Sequence, residues 1–166
     1  MSKRMKVTTD FIDKNFSTIH LCFLQTIVFR QSLINKKLGG AIDSCILQIV
    51  CWHHLTSLLS DNLKSQTTEY KKALDYWNNS FGTNFSSKKL TLTLLSDLSA
   101  IPLETVRRRV IHLEKKNWVK YTPNTGVIYS PSEKNNNLIV EINNSEKEFQ
   151  ANYLNVYEKS KSHLSQ

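Results

Sequence analysis

The sequence predicts a mainly α-helical chain carrying one short β-hairpin, and three observations predict it. Residues 11–34 and 41–59 place apolar side chains at helical spacings. Residues 95–119 read as two short helices joined by a tight turn, the second containing Arg107-Arg108-Arg109. Directly afterwards, 118–121 and 127–129 alternate as strands around the turn-forming run 122–126. With 166 residues, 40% of them hydrophobic, the chain can bury a core of one ordinary domain or two small ones.

Taken in order, the first helix holds Phe16, Ile19, Phe23, Ile27 and Phe29 among more apolar positions than a one-sided stripe needs. Lys36-Lys37-Leu38-Gly39-Gly40 ends it, because glycine readily supplies the positive φ found at helix ends. Ile42, Ile46, Ile49, Val50, Trp52, Leu55 and Leu58 then point to broad burial of the second helix. This excess of apolar surface favours a homodimer seam over a purely intrachain core. A polar connection at 60–68 leads to a helix over 69–79, where Tyr70, Leu74 and Trp77 share a side. The loop 78–84 follows, with Ser86 or Ser87 as the next cap.

The first helix of the central pair covers 92–98, with Leu95 and Leu98 inward and small Ser96 allowing close approach. Ala100 stands in the turn, which implies a tight connection without a left-handed residue. Pro102 belongs in the first turn of the next helix, where its missing donor costs nothing. From there to Lys116, Val106, Val110 and Leu113 form the inward face. In the hairpin, Val119 and Tyr121 face in and Lys120 faces out. Residues 131–137 read as a breaker and 138–142 as a strand or short buried segment. Ser145, with Glu148 three positions on, caps a final helix over 146–162 whose packing face is Phe149, Tyr153, Leu154 and Tyr157. The organisation expected is a dimerising helical region at 1–64, a reading domain at 65–131 and a C-terminal segment with a helix at 132–166.

Charge is the functional clue. The chain carries a formal +8, compatible with nucleic acid or an anionic surface. Between positions 83 and 121 eight basic residues stand against three acidic ones, a local net charge of +5. At 100° per residue, Arg108 projects opposite the buried face, with Glu104 and Lys115 nearby and His112 to one side. A guanidinium in that place can donate two parallel hydrogen bonds to a guanine edge, and Glu104 can accept from a cytosine amino group. Arg107, Arg109, Lys115 and Lys116 are assigned to phosphates, which set orientation, and Thr105 is balanced between a phosphate contact and simple solubility. His112 lies at the edge of the contact, Lys120 faces outward on the strand, and Asn124 or Thr125 makes a light contact from the hairpin turn. Each has a bland counterpart: an arginine run is commonly solvated charge, and Glu104 can simply pair with Arg108 four residues on.

Over residues 67–129 the chain resembles the winged helix-turn-helix superfamily of bacterial transcription regulators. Glu104, Thr105, Val106 and Arg108 match a recognition-helix pattern of its cyclic-nucleotide-receptor-type members. That resemblance implies base contacts for Glu104 and Arg108, a backbone contact for Thr105 and a core role for Val106. Leu103 departs from it, since an additional base-contacting arginine often occupies that place. The implied fold is a winged helix-turn-helix with a short hairpin wing and additional N- and C-terminal helices. The implied function is sequence-specific binding of double-stranded DNA as a homodimer, with an effector of unspecified identity acting through the N-terminal helices. The alternative is a winged-helix protein-interaction or RNA-binding module.

Other chemistry finds little support. Cys22, Cys45 and Cys51 form no CxxC pair, and Cys51 with His54 lacks the further ligands of a metal site. No phosphate loop, nucleophile elbow or HExxH helix is present, so neither an enzyme nor a cofactor is expected. The apolar run 19–29 is too short to span a bilayer and no signal peptide is apparent, which leaves a cytoplasmic protein as the expectation.

Overall fold

The computed structural model describes residues 9–62, 69–82 and 89–162. Its elements are α1 (Thr9–Lys14), α2 (Phe16–Leu38), α3 (Ala41–Asn62), α4 (Tyr70–Asn78), α5 (Leu92–Ser99), α6 (Leu103–Lys115), β1 (Val119–Thr122), β2 (Gly126–Tyr129) and α7 (Glu133–Ser162). The described residues are therefore mainly helical with one small antiparallel sheet, as expected. It divides into two compact units, Met1–Lys36 with Ile139–Gln166, and Lys37–Leu138. The sequence grouped α3 with α2; α3 instead falls in the second unit and packs against α5, α6 and β2.

In the first unit α2 lies along α7. Arg30 Nε meets Glu146 Oε1 at 2.8 Å, Phe23 and Tyr153 rings lie 6.1 Å apart, and Phe11 of α1 meets Tyr157 edge-on at 5.5 Å. Ile19 and Cys22 are buried. Two expectations for the C-terminal part are corrected. Residues 138–142 are not a strand, and Ser145 caps nothing: both lie inside α7, where Ser145 Oγ donates to the Glu141 carbonyl. The cap is Ser132, whose Oγ accepts from Asn135 N at 3.3 Å. Buried Ile139 and Ile142 are three residues apart, a helical spacing that the β-branched composition obscures.

The core of the second unit is built from Ile46, Leu47 and Val50 of α3, Leu95 of α5, Val106, Val110 and Leu113 of α6, and Val119, Val127 and Tyr129 of the hairpin, all 3% exposed or less. Each such side chain contributes roughly 1.5–3 kcal/mol of transfer free energy. Leu98 is not inward as predicted but 47% exposed. A rotation of about 60° from Leu95 takes it off the buried line. The hairpin pairs Val119 with Tyr129 and Thr122 with Gly126. Leu90 runs beside β2, its carbonyl accepting from Val127 N at 2.8 Å. A Cβ on Gly126 would meet that carbonyl oxygen at 2.6 Å, and φ there is +76°, so glycine is required.

Behind the hairpin, His54, Trp77, Phe81 and Tyr129 form an aromatic cluster, with Trp77 and Tyr129 ring centres 4.9 Å apart. Ser80 Oγ donates to the Trp77 carbonyl at 2.7 Å, so its proton is committed. His54 Nε2, 2.7 Å from Ser80 Oγ, must therefore carry a hydrogen and donate it. Burial pushes the His54 pKa down to about 4. Trp77 Nε1 donates to Asn136 Oδ1 at 3.1 Å, tying α4 to the first turn of α7.

Candidate nucleic-acid interface

The connection that orients α6 is set locally. Thr91 caps α5 by accepting from Leu94 N at 3.1 Å, whereas the predicted caps Ser86 and Ser87 lie outside the described residues. Ser96 Oγ donates to the Ile101 carbonyl at 2.6 Å, across the turn. Ala100 does adopt the left-handed conformation, with φ 54° and ψ 26°, contrary to expectation. Its Cβ opposes that backbone, but α5 must end and α6 begin within three residues, and this geometry allows it. Pro102 sits at the cap rather than inside the helix, with φ −53° and ψ 136°. The far end closes through Asn117, also left-handed at φ 56°, as Trp118 N donates to the Leu113 carbonyl at 3.0 Å. Asn135 Nδ2 of α7 donates to the Lys116 and Asn117 carbonyls, both at 2.9 Å.

With Val106, Val110 and Leu113 sealed inward, α6 has three remaining sectors. On the outermost stand Glu104, Arg108 and Lys115, all exposed. Arg108 makes no hydrogen bond or ion pair among the described residues. Glu104 does not pair with Arg108 but with Arg107, as a fork in which Nη2 and Nε donate to the two carboxylate oxygens at 2.7 and 2.8 Å. The Arg107 hydrogen bonds, with the Arg107 and Arg108 charges, hold the Glu104 carboxyl below its ordinary range.

The sector towards α3 carries Thr105, half-buried, together with Arg109 and His112. Both basic side chains face Asp43, from the first turn of α3: Arg109 Nη1 to Oδ1 and His112 Nε2 to Oδ2 are each 3.6 Å. Asp43 is 3% exposed, and its Oδ1 accepts no hydrogen bond. Arg109 and His112 thus hold a carboxylate of their own chain while their outer parts stay in water. Lys116 lies near Gly39, at the turn before α3.

The sector towards the hairpin carries Arg107 and Glu114. Glu114 Oε1 accepts from Tyr121 N at 2.9 Å, fixing β1 to α6. Lys120 is exposed on β1, its ammonium near Gly82. The hairpin turn is self-capped, Thr125 N donating to Thr122 Oγ1 at 3.1 Å, and Asn124 is exposed. The structure therefore brings Glu104, Arg107, Arg108 and Lys115 onto one face, sets Arg109 and His112 against Asp43, and leaves Asn124 and Thr125 at the hairpin tip. Sequence reasoning missed Asp43 and Glu114. Glu114 carried a weak signal, an acidic residue among basic ones just before a strand; Asp43 carried none.

Among the described residues no group of three or more metal-ligating side chains occurs, and no helix is long and apolar enough to cross a membrane. Compared with protein-family models, curated proteins and solved structures, the chain matches none.

Proposed function

We propose that the chain is a sequence-specific, duplex-DNA-binding transcription regulator of the winged helix-turn-helix type, acting as a homodimer without catalytic activity. The observation that carries this reading is the outward sector of α6. A helix held on one side by the core and closed at its C-terminal end presents an unengaged Arg108 and a forked Glu104–Arg107 pair to solvent. Such a helix has the width to enter a major groove, and a hairpin at its C-terminal end lies where a wing would graze the adjacent backbone. The fork changes the division of labour expected from sequence. With Arg107 holding Glu104, Arg108 is the side chain available for two parallel bonds to guanine, and Glu104 must release Arg107 before accepting from cytosine. Lys115, Lys116 and Lys120 supply phosphate attraction. A cytoplasmic setting fits the three free cysteines.

Selection from randomised duplexes, followed by binding to single-stranded DNA and RNA at matched salt, tests the reading. A recovered motif and preference for duplex are expected. Arg108→Ala should relax preference at one base pair, with roughly 1–3 kcal/mol of discrimination lost. Equal weakening across all duplexes would demote Arg108 to a phosphate contact, and preference for single strands would overturn the duplex reading.

A further inference from the structure

The stretch 15–29 has no aspartate, glutamate, lysine or arginine, and 16–29 of it lies in α2. One side of that helix is largely covered: Ile19 and Cys22 are buried and Arg30 reaches Glu146 of α7, although Phe29 on that side stays 52% exposed, while Phe23, at the border, lies 6.1 Å from Tyr153. Among the described residues the other side stays exposed. Phe16, Leu21, Phe23, Leu24, Ile27 and Val28 remain between 42% and 63% exposed. At 3.6 residues per turn these six fall within an arc of about 160°. A surface helix normally turns charge to the water there; a helix apolar on both sides is one that is buried on both.

We infer that this face of α2 is the seam at which two copies of the chain associate. The inference rests on the homodimer reading only for the number of copies, not on DNA binding. Area argues for it. At ~150–200 Å² per large side chain the six expose on the order of 500 Å² of apolar surface. That is near the upper limit for a patch on an ordinary monomer, about 300–600 Å². Interfaces are roughly 60–65% apolar, so such a patch with its polar rim corresponds to about 800 Å² per partner, one side of an interface of standard size. Ser17 and Gln31 border the patch at its two ends along the helix, and His20 lies within it, stacked on Phe16 at 4.5 Å. A self-complementary apolar face needs no charge pattern to select its partner, and this one has none. An anionic bilayer surface, the other occupant an apolar face can seek, is ordinarily met by a helix with lysines or arginines along its polar side, and 15–29 has neither.

The test uses the full chain and sedimentation equilibrium. The native protein should dimerise in the micromolar range or below. Leu21→Glu with Val28→Glu places carboxylates at the two most exposed positions of the face, where the folded monomer tolerates them. This pair should raise the dimer dissociation constant at least about 100-fold, because an unpaired charge would be buried, with the helical circular dichroism unchanged. A second chain with Leu21→Lys and Val28→Lys should likewise be monomeric, and mixing the two should restore a heterodimer. That rescue separates a lost interface from a lost fold. A native chain that is monomeric at tens of micromolar, acidic variants that still dimerise, or a monomer that instead sediments with anionic vesicles would overturn the inference. Residual salt-dependent duplex binding by the monomeric variants reports on α6 separately, so loss of that binding alone would count against the function and not against the seam.

Discussion

The outward faces of α2 and α6 are both exposed, yet one lacks charge from residue 15 to 29 and the other carries Glu104, Arg107, Arg108 and Lys115 within three turns. The difference lies in what each face asks of solvent. The α2 face gains by excluding water, so its partner must be apolar and closely fitting. The α6 face is satisfied by water and ions, so its partner must offer dense charge and fixed acceptors in exchange. Salt separates the two most sharply. If a dimer neutralises six or more phosphates, duplex affinity should fall by about 10³ or more between about 50 and 200 mM salt. The dimer dissociation constant should move by less than about threefold over that range, since uncharged contacts are not screened. Fluorescence anisotropy with labelled duplex and sedimentation of the free protein measure the two curves. Parallel curves would mean that one face serves both partners.

Acid should distinguish the units that carry these faces. His54 lies in the core behind the hairpin, held neutral with its pKa lowered from 6.5 to about 4 by burial. The unfolded chain binds this proton more readily than the folded one. The contribution is thus intact above pH 6.5, declines as pH falls towards 4, and is flat below. The loss should be on the order of 3 kcal/mol for full titration. All three tryptophans belong to this unit, so their fluorescence during urea unfolding at pH 7 and pH 4 follows it alone. His54→Gln should remove this part of the acid sensitivity. An unchanged pH dependence would show that the imidazole is more hydrated than its 6% exposure indicates.

Much of the α6 platform was legible because its determinants are local. Val106, Val110 and Leu113 declare a helical face by spacing, and the alternating residues around 122–126 declare a hairpin. What was not legible came from contacts distant in sequence or from competing local signals. Nothing near Asp43 announces that it will meet Arg109 and His112. The run Leu138-Ile139-Val140 has strand composition, but a Ser132 cap starts a 30-residue helix upstream and tertiary burial of Ile139 and Ile142 overrides propensity. The apolar excess of α2 was visible from the start; that it stays uncovered needed the structure.

Asp43 offers a smaller test of the charged face. The sequence assigns Arg109 to phosphate, but its guanidinium already faces a buried carboxylate. Asp43→Asn should free that charge for the duplex, tighten binding several-fold for all sequences alike, and steepen the salt dependence by about one counterion. A changed base preference would instead mean that Asp43 positions α6, because tilting the helix would move Arg108 relative to the bases.

The smallest effect concerns the turn that sets that tilt. Ala100 holds φ 54°, where a Cβ costs about 1–2 kcal/mol relative to glycine. Ala100→Gly relieves this but adds backbone freedom to the unfolded chain, which returns roughly 0.5–1 kcal/mol. The net stabilisation expected from urea unfolding is about 0.5–1 kcal/mol. The Ser96 to Ile101 hydrogen bond spans the same turn and should hold α5 and α6 at an unchanged angle. Duplex preference and the dimer constant should therefore both stay as they are. A gain in stability accompanied by weaker discrimination would mean that the strain at Ala100 stiffens α6 for recognition, which would make this local geometry a functional requirement.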